Sequence, residues 1–513
     1  MLLMRLVPTR LVALVTILLA GCATPLPEHD HPDSSALPPT EEGLLNYYVK
    51  KQPANAADQS GFMLLETGAD ALAARLLLID LAQSSIDLQY YIYAPDTTGL
   101  LIGERLLAAA QRGVRVRVLL DDIGSGMSDR VLATLDRHPN IEVRLFNPVS
   151  LRHDLFKFPS KVLEFGRINN RMHNKLLLVD NLALITGGRN IGDEYFTLSE
   201  RDFQDIDILG VGPVSAAASS SFDAFWNSVN AIPVKVIHAD AEVYRLPGMQ
   251  DLMVTRREQL MQEPYLKAVA DSRFSNQLVR GQLPLVWGRA DWMADPPAKA
   301  DASADESEIP YLGLRLVEHA REVESELLII SAYFIPGDEG VQLLLDLRQR
   351  GADVSILTNS LATTDVLAVH SHYARYRQPL LEAGVRLWEL QPMAVRQEEA
   401  SPFLGDSLAS LHAKSFVFDR DRVFVGSINL DPRSISLNTE AGVMVYQPEL
   451  ASNLSELFQR WTAQDYAYSL RLNRDNQIRW LGNDERLKSE PEASPTRRFI
   501  TWLLGWLPIE DQL

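Results

Sequence analysis

Two short segments of the chain repeat the same set of chemically useful residues at the same intervals. Each copy places a lysine shortly after a histidine, then an aspartate, then two small residues and an asparagine. Imidazole can attack phosphorus or transfer a proton, and ammonium and amide groups bind anionic oxygens. This set suits reaction at a phosphodiester, whose negative charge repels anionic nucleophiles. The positions are His173, Lys175, Asp180, Gly187, Gly188 and Asn190 in the first copy, and His412, Lys414, Asp419, Gly426, Ser427 and Asn429 in the second.

Each copy has the sequence pattern of a β-hairpin. His173 and Lys175 alternate in an apolar segment, and His412 and Lys414 do the same, so each pair is expected on one face of a strand. We interpret the motif aspartates as turn residues rather than catalytic groups, because each precedes a short polar step into another apolar strand. The small residues at the end of that strand are expected to let backbone N–H groups reach a phosphate oxygen.

The motifs lie within a longer internal repeat. Residues 111–120 match residues 349–358, and in both copies the pattern is a helix that ends at glycine and leads into a strand. Residues 85–93 likewise match residues 325–334. The alternation of strands and helices predicts an α/β fold of two similar lobes, with mixed β-sheets flanked by helices. If a pseudo-twofold axis relates the lobes, both motifs converge on one active site at their interface.

Composition describes a packed and acidic protein. Hydrophobic residues make up 46% of the 513 residues, which is typical of a globular chain. The 49 Lys and Arg against 67 Asp and Glu give a net charge of −18, which disfavours a broad nucleic-acid surface. Cys22 is the only cysteine, so intramolecular disulfides and cysteine-based metal sites are excluded. We expect no metal or other cofactor.

The start of the chain has the pattern of an exported lipoprotein. Arg5 and Arg10 precede an apolar run, and the sequence Leu-Ala-Gly-Cys at 19–22 resembles a bacterial lipobox, in which Cys22 is the lipid-modified residue. Ala23 follows the cysteine, a pattern that in lipoprotein sorting favours the outer membrane over the inner one. The expected location is therefore a membrane, facing the periplasm.

Breaks in composition divide the chain into six expected parts. Residues 294–308 form a polar stretch of low complexity, which we interpret as the linker between the lobes. Residues 497–513 place two arginines before an apolar run that contains Trp502 and Trp506, which suits a helix lying on lipid or packed against the body. The parts are 1–21 lipoprotein signal peptide, 22–60 tether, 61–293 first lobe, 294–308 linker, 309–490 second lobe and 491–513 amphipathic C-terminal segment.

The paired motifs resemble the HKD motifs of the phospholipase D superfamily. The resemblance extends from about residue 60 to the C-terminus. Residues 188–196 (GRNIGDEYF), residues 333–337 (YFIPG) and residues 358–362 (TNSLA), which lead to Asp365, are similar to bacterial cardiolipin synthases, particularly the C type. The family therefore implies two phospholipase D-like lobes with a shared active site.

The resemblance also implies roles for the motif residues. One imidazole attacks phosphorus to form a phosphohistidine, and the other protonates the leaving alcohol and later activates the acceptor. We assign His173 as nucleophile and His412 as general acid and base, although the near symmetry leaves the reverse open. The lysines neutralise phosphate oxygens and the asparagines donate hydrogen bonds to them. Glu440 matches the family's carboxylate that orients a histidine. Its first-lobe counterpart, which we expect to orient His173, is Asp205, with Asp207 as the alternative.

Three functions follow from this resemblance. The first is phosphatidyl transfer between phospholipids, with phosphatidylglycerol and phosphatidylethanolamine as substrates and cardiolipin as product. The second is phospholipase D hydrolysis to phosphatidic acid, which shares the phosphohistidine intermediate. The third, a nuclease of the same fold, is disfavoured by the acidic composition and the export signal. The sequence does not determine the acceptor, the oligomeric state or any protein partner.

Overall fold

A single continuous sheet runs through both lobes in the computed structural model of the chain. The structure describes residues 32–51, 53, 58–149, 168–199, 201–237, 244–260, 263–301, 311–392, 408–482 and 485–513. The main sheet has 18 strands within these residues, and two further short strands pair separately. The strands are β1 Ser60–Leu65, β2 Ser85–Tyr90, β3 Arg115–Asp121, β4 Ile141–Phe146, β5 Leu176–Val179, β6 Ala183–Gly187, β7 Arg201–Gln204, β8 Asp207–Val211, β9 Ala231–Pro233, β10 Val286–Ala294, β11 Glu326–Ser331, β12 Asp353–Asn359, β13 Arg386–Leu390, β14 Leu408–Leu411, β15 Lys414–Phe418, β16 Arg422–Gly426, β17 Ala441–Tyr446, β18 Ala467–Leu472, β19 Ile478–Gly482 and β20 Glu485–Leu487.

Helices pack on both faces of this sheet. Short 3₁₀ turns occur at Asp193–Tyr195, Pro297–Ala300, Ala374–Tyr376 and Glu510–Gln512. The α-helices are α1 Gly43–Lys50, α2 Gly68–Leu81, α3 Thr97–Gln111, α4 Asp129–Leu135, α5 Val214–Trp226, α6 Val234–Ile237, α7 Leu246–Leu260, α8 Pro264–Ala270, α9 Arg273–Val279, α10 Leu312–Arg321, α11 Gly337–Gln349, α12 Leu367–Tyr373, α13 Arg377–Glu382, α14 Pro432–Ser436, α15 Pro448–Trp461 and α16 Pro495–Leu504.

The two lobes have the same strand order, which confirms the predicted fold class. In the first lobe the order is β9-β4-β3-β2-β5-β6-β8-β1, and in the second it is β18-β13-β12-β11-β15-β16-β17-β10. Three adjacent strands in each lobe are parallel and the others are antiparallel, so each sheet is mixed. Crossover helices connect the parallel strands, as the helix-to-strand repeat predicts.

Strand β10 joins the two sheets. Its first part pairs with β1 of the first lobe, and its residues 289–294 pair with β17 of the second lobe. We expected the first lobe to extend through residue 293, but most of β10 is therefore a strand of the second sheet. An apolar cluster continues across this junction, with side chains from β5 and β6 on one side and from β16 and β17 on the other. The shared core fixes the lobes against each other.

The described parts of the expected linker and tether are packed rather than extended. Asp295, in the expected linker, accepts hydrogen bonds from the backbone N–H groups of Leu312 and Glu440 in the second lobe and pairs with Lys299. In the expected tether, the Ser34 carbonyl accepts a hydrogen bond from the buried Arg117 side chain. A buried guanidinium has five donors to satisfy, which explains why polar backbone lies over it.

The segment expected to be a signal peptide and Cys22 lie outside the described residues. Within the part of the chain that the structure covers, no helix is both long and apolar enough to cross a bilayer.

Candidate active site

Each motif histidine contacts a carboxylate from the other lobe. His173 Nδ1 lies 2.9 Å from both carboxylate oxygens of Glu440, and His412 Nδ1 lies 2.6 Å from Asp205 Oδ2. Our sequence reasoning placed Asp205 or Asp207 beside the histidine of its own lobe, His173. The structure instead shows an exchange, in which the second lobe orients the first histidine and the first lobe orients the second.

Backbone hydrogen bonds produce this exchange. The His173 N–H donates to the Thr439 carbonyl at 2.9 Å, and the His412 N–H donates to the Gln204 carbonyl at 2.8 Å. Thr439 and Gln204 are the residues immediately before the two carboxylates. Strands β7 and β14 also pair in parallel at the second of these contacts. The segment before each carboxylate is therefore tied to the histidine segment of the opposite lobe.

Asp207, the alternative carboxylate, has a different set of partners. Its side chain is fully buried and pairs with the Arg75 guanidinium at 2.8 Å. It also accepts a hydrogen bond from the Arg189 backbone N–H at 3.2 Å. These contacts give Asp207 a structural position beneath the site.

The two orienting carboxylates remain ionised. Both are completely buried, and burial alone would raise their pKa values. At Glu440 the interactions with His173, Lys175 and the Ser427 hydroxyl outweigh burial and hold the pKa below the usual value, and those with His412 and Lys414 do the same for Asp205. Each buried carboxylate is thus tied electrostatically to its histidine.

Both histidines are held in the neutral form with one nitrogen free. Burial lowers the pKa of His173 to about 4, although Glu440 opposes the shift, and burial also lowers the pKa of His412. When Nδ1–H donates to the carboxylate, the neutral ring carries its lone pair on Nε2. Each ring is therefore prepared either to attack phosphorus or to accept a proton.

The motif lysines lie deep beside the histidines. Lys175 Nζ donates to the His173 carbonyl at 2.7 Å, and Lys414 Nζ donates to the His412 carbonyl. Burial lowers the pKa of Lys175 to about 7 and also lowers that of Lys414. An anionic phosphate would favour the charged ammonium, so substrate binding and lysine protonation are coupled.

The motif asparagines both line the cavity that contains the histidines. Asn190 Oδ1 accepts a hydrogen bond from the Ile92 N–H at 3.2 Å, and its Nδ2 donates to the Tyr195 hydroxyl at 2.8 Å. Because these contacts orient the Asn190 amide, its second Nδ2 hydrogen can serve a ligand oxygen.

The small residues of the motif make room for carboxylates rather than presenting backbone N–H groups. The Gly188 N–H donates to Ile206 and the Ser427 N–H donates to Ala441, so both groups are already used. A Cβ at Gly188 would clash with the Asp205 carboxylate. Our expectation that these N–H groups bind phosphate is therefore wrong for both positions.

The neighbouring small residues serve the same packing. Gly187 has φ of +155°, and a Cβ there would clash with Asp207. A Cβ at Gly426 would approach the Ala441 carbonyl too closely. The Ser427 hydroxyl donates to Glu440 Oε2, which helps to fix that carboxylate.

The motif aspartates hold the hairpin turns in place. Asp180 accepts hydrogen bonds from the backbone N–H groups of Ser84 and Ser85, and Asp419 accepts them from Ser325 and the residues on either side of it. Both aspartates have positive φ, at 55° and 51°. Each carboxylate thus ties its motif hairpin to the start of the adjacent antiparallel strand, β2 or β11.

One cavity of about 300 Å³ contains both histidines and both asparagines. Its wall also includes residues to which sequence reasoning gave no role. The spacing of the repeat does not predict these residues, because they come from loops that differ between the lobes. Three of the residues lie in or beside the segments that carry the family resemblance. They are Tyr91, Tyr195, Tyr333, Asp365, Asp431 and Arg433.

These wall residues make the second half of the cavity more acidic. The Tyr333 hydroxyl donates to Asp365 Oδ2 at 2.8 Å. Burial raises the pKa of Asp431 to about 6, and its carboxylate also accepts a hydrogen bond from the Ser434 N–H. Tyr93 and Phe334 form equivalent isolated β-bridges in the two lobes, so the residues before them, Ile92 and Tyr333, correspond. The first half therefore has an apolar side chain where the second half has a tyrosine.

Other candidate polar residues have structural positions. Asp121 pairs with Arg171 at 2.7 Å and accepts the Met172 N–H, so it supports the segment that leads into His173. His370 and His372 are buried, and their rings hydrogen-bond with Arg377 and with backbone carbonyls.

The fold and the site define a protein of the phospholipase D superfamily, and comparison with known proteins gives the branch. A family model described as the phospholipase D-like domain of cardiolipin synthase matches residues 76–226 and 315–462. Cardiolipin synthase C of Escherichia coli K12 is 40% identical over 462 residues, which is 88% of this chain and 96% of that protein. Cardiolipin synthase 1 of Bacillus cereus is 24% identical, covering 88% of this chain and 74% of that protein.

A solved structure shows the same architecture. The phosphatidylserine synthase of Haemophilus influenzae Rd KW20 aligns with a TM-score of 0.52 at 14% identity, covering 89% of this chain and 96% of that one. At this identity the similarity concerns the fold alone. The family match and the E. coli relative show that the chain belongs to the cardiolipin synthase family of phospholipase D-like proteins.

The lysine pKa predicts how substrate capture depends on pH. Lys175 loses its proton as pH rises through about 7, so kcat/KM should fall roughly tenfold per pH unit above that value. Bound phosphate favours the ammonium form, so the alkaline limb of kcat should lie at higher pH than that of kcat/KM. Steady-state rates between pH 6 and 9 measure both limbs.

Two variants test whether Lys175 causes the fall in kcat/KM above pH 7. Lys175→Met should lower kcat/KM and remove the limb near pH 7, whereas Lys488→Met, at an exposed position, should leave the profile unchanged. A wild-type kcat/KM that stays constant or rises up to pH 9 would show that Lys175 keeps its proton in the free protein.

Proposed function

We propose that this chain is a phosphatidyltransferase that makes cardiolipin from two phospholipids through a phosphohistidine. The observation that supports it best is the pair of neutral imidazoles, each oriented by a buried carboxylate, in the wall of one cavity. Membership in the cardiolipin synthase family supplies the substrate class.

In the first step His173 is the nucleophile. Its Nε2 lone pair attacks the phosphorus of the donor lipid, a P–N bond forms, and the P–O bond to the headgroup alcohol breaks. The bound phosphodiester anion favours protonation of His412, and the imidazolium so formed gives its Nε2 proton to the departing oxygen. Glu440 stabilises the positive charge that develops on the His173 ring.

In the second step His412 acts as a base. Its Nε2 takes the proton from the acceptor hydroxyl, whose oxygen attacks phosphorus while the P–N bond breaks. Asp205 stabilises the imidazolium that forms on His412. With the glycerol hydroxyl of phosphatidylglycerol as acceptor the product is cardiolipin, and with water it is phosphatidic acid.

The other motif residues act on the phosphate oxygens. Lys175 and Lys414 lie beside the two histidines and neutralise the charge that builds up at phosphorus, while Asn190 and Asn429 donate hydrogen bonds from the cavity wall. The side chains of His173 and His412 are only 11% and 9% exposed, which limits access of water to the intermediate.

Helix α16 supplies a surface for docking on a bilayer. Phe499 and Trp502 share one face of the helix, and Trp506, in the turn that follows it, contacts the Trp502 ring; the three residues are 60%, 60% and 73% exposed. Arg497 donates to the carbonyls of Leu361 and Thr364, beside Asp365 in the cavity wall. Exposed tryptophans with adjacent arginines suit the interface of an anionic bilayer, and the helix would hold the cavity close to its lipid substrates.

We also propose that the protein is a lipoprotein facing the periplasm. Cys22 in its lipobox context would carry the lipid anchor, and the following Ala23 favours the outer membrane. An anchor with several acyl chains gives stable attachment, whereas α16 alone gives reversible contact.

Product analysis tests the proposed activity. We expect purified protein with vesicles of phosphatidylglycerol and phosphatidylethanolamine to form cardiolipin and release a free headgroup alcohol, detected by mass spectrometry. His173→Ala should abolish the product, and His138→Ala, a histidine outside the cavity, should leave it unchanged. Phosphatidic acid as the main product would establish hydrolysis instead, and DNA cleavage without lipid turnover would establish a nuclease.

Fractionation and vesicle binding test the two membrane contacts. Cys22→Ser should shift part of the protein from the membrane to the soluble fraction. In that background, Trp502→Ser with Trp506→Ser should reduce affinity for phosphatidylglycerol vesicles at least about tenfold, because two large apolar rings no longer enter the interface.

Val229→Ser is the matched control, since Val229 is 78% exposed but lies on the first lobe. We expect it to leave vesicle affinity unchanged. If the tryptophan variants bind vesicles as well as their parent, α16 does not dock on lipid.

A further inference from the structure

An apolar groove of about 220 Å³ lies in the second lobe between α10 and α11. Its floor is the face of β11 and β15 that carries Leu327, Ile329 and Phe416. The only charged side chains among its lining are Arg321 and Glu339. On α10, Leu314 is 55% exposed at this groove, so a large apolar side chain is left in contact with solvent.

The groove lies next to the catalytic cavity. At three places two consecutive residues of the chain line the two spaces, one residue each, so the same chain segments separate the groove from the cavity. The pairs are Phe334 in the groove with Tyr333 in the cavity, Leu430 with Asn429, and Ile435 with Ser434.

The groove then follows the strand direction away from the site. Phe334 and Leu430 mark the catalytic end, and Leu327 and Phe418 mark the far end. The part of β11 from Leu327 to Ser331 spans about 13 Å at the rise of a strand, and Phe334 lies three residues beyond its end. This length and the apolar lining match an extended hydrocarbon chain.

The first lobe shows what covers the equivalent surface there. Its helices α2 and α3 correspond to α10 and α11, and they are covered by α7, α8 and α9. Apolar side chains from the covering helices, such as Met253, Leu266 and Phe274, complete that core. Among the described residues of the second lobe, no helix covers the notch between α10 and α11 in this way, and the groove results.

We propose that this groove holds one acyl chain of the phospholipid whose phosphate lies between the two histidines. The inference rests on the proposed function, because it takes the substrate to be a phospholipid. The adjacency of the groove to the catalytic cavity selects this occupant: a lipid phosphate at the histidines places its own acyl chains within reach of the catalytic end of the groove. The groove thus gives the site a preference for long-chain lipids.

Photolabelling tests the location of the chain without requiring turnover. The probe is phosphatidylglycerol with a diazirine on one palmitoyl chain, in detergent micelles with the full-length His173→Ala protein. We expect labelled peptides from residues 312–320 and 337–344. Labelling confined to other surfaces, such as residues 499–507, would overturn the proposal. An unlabelled groove would also overturn it, since the groove would then be occupied by another segment or by a second copy of the chain.

Chain-length kinetics provide the second arm. Val317 is half-buried in the groove, and Val317→Trp fills it; Glu318→Trp adds the same ring on the exposed side of α10 as control. Val317→Trp should lower kcat/KM for dipalmitoyl phosphatidylglycerol about tenfold and leave the dihexanoyl substrate unchanged. Glu318→Trp should change neither.

An equal loss for both chain lengths in Val317→Trp would overturn the groove proposal. The two proposals fail differently. A protein that is labelled in the groove but makes no cardiolipin supports the groove and contradicts the proposed transfer reaction. A protein that makes cardiolipin but shows neither groove labelling nor a chain-length effect supports the transfer reaction and contradicts the groove proposal.

Discussion

The site depends on one pair of backbone contacts. In each half, the N–H of the motif histidine donates to the carbonyl of the residue just before the carboxylate of the other lobe. These backbone bonds bring Glu440 beside His173 and Asp205 beside His412, where the side chains then form hydrogen bonds. A carboxylate that is fully buried needs such a partner, since leaving a buried polar group without a hydrogen bond costs about 1–3 kcal/mol, and more when the group is charged. Folding of the lobes against each other and assembly of the site are therefore the same event.

The remaining structure serves to keep these contacts in register. Strand β10 joins both sheets, and an apolar cluster crosses the junction, so the lobes cannot slide without exposing core residues. The motif glycines leave space for the carboxylates, and the motif aspartates tie each hairpin to β2 or β11. The duplicated halves give two chemically similar histidines, while the unmatched residues Tyr333 and Asp365 make the second half of the cavity different from the first.

Sequence reasoning succeeded where a local pattern determines structure. The repeat predicted two α/β lobes, and the polar step after each motif aspartate predicted a hairpin, because turn chemistry and strand periodicity are short-range properties. It failed for the exchange of carboxylates, since no single-sequence pattern states which lobe a side chain faces. It also misread Gly188, whose small size serves Asp205 rather than a ligand. The polar composition of residues 32–51 hid α1 and the contacts with Arg117, which depend on tertiary packing.

The most direct test of the exchange is to ask which carboxylate serves which histidine. A phosphatidyl ester of p-nitrophenol needs no general acid for departure of its leaving group, so its release reports attack by the nucleophile alone. With this substrate, Asp205→Asn should give a rapid burst of nitrophenol and accumulate a phosphoryl adduct that mass spectrometry maps to His173, because only the second step is slowed. Glu440→Gln should release nitrophenol slowly and accumulate no adduct. A His173 adduct in Glu440→Gln, with none in Asp205→Asn, would show that each lobe orients its own histidine and would contradict the account.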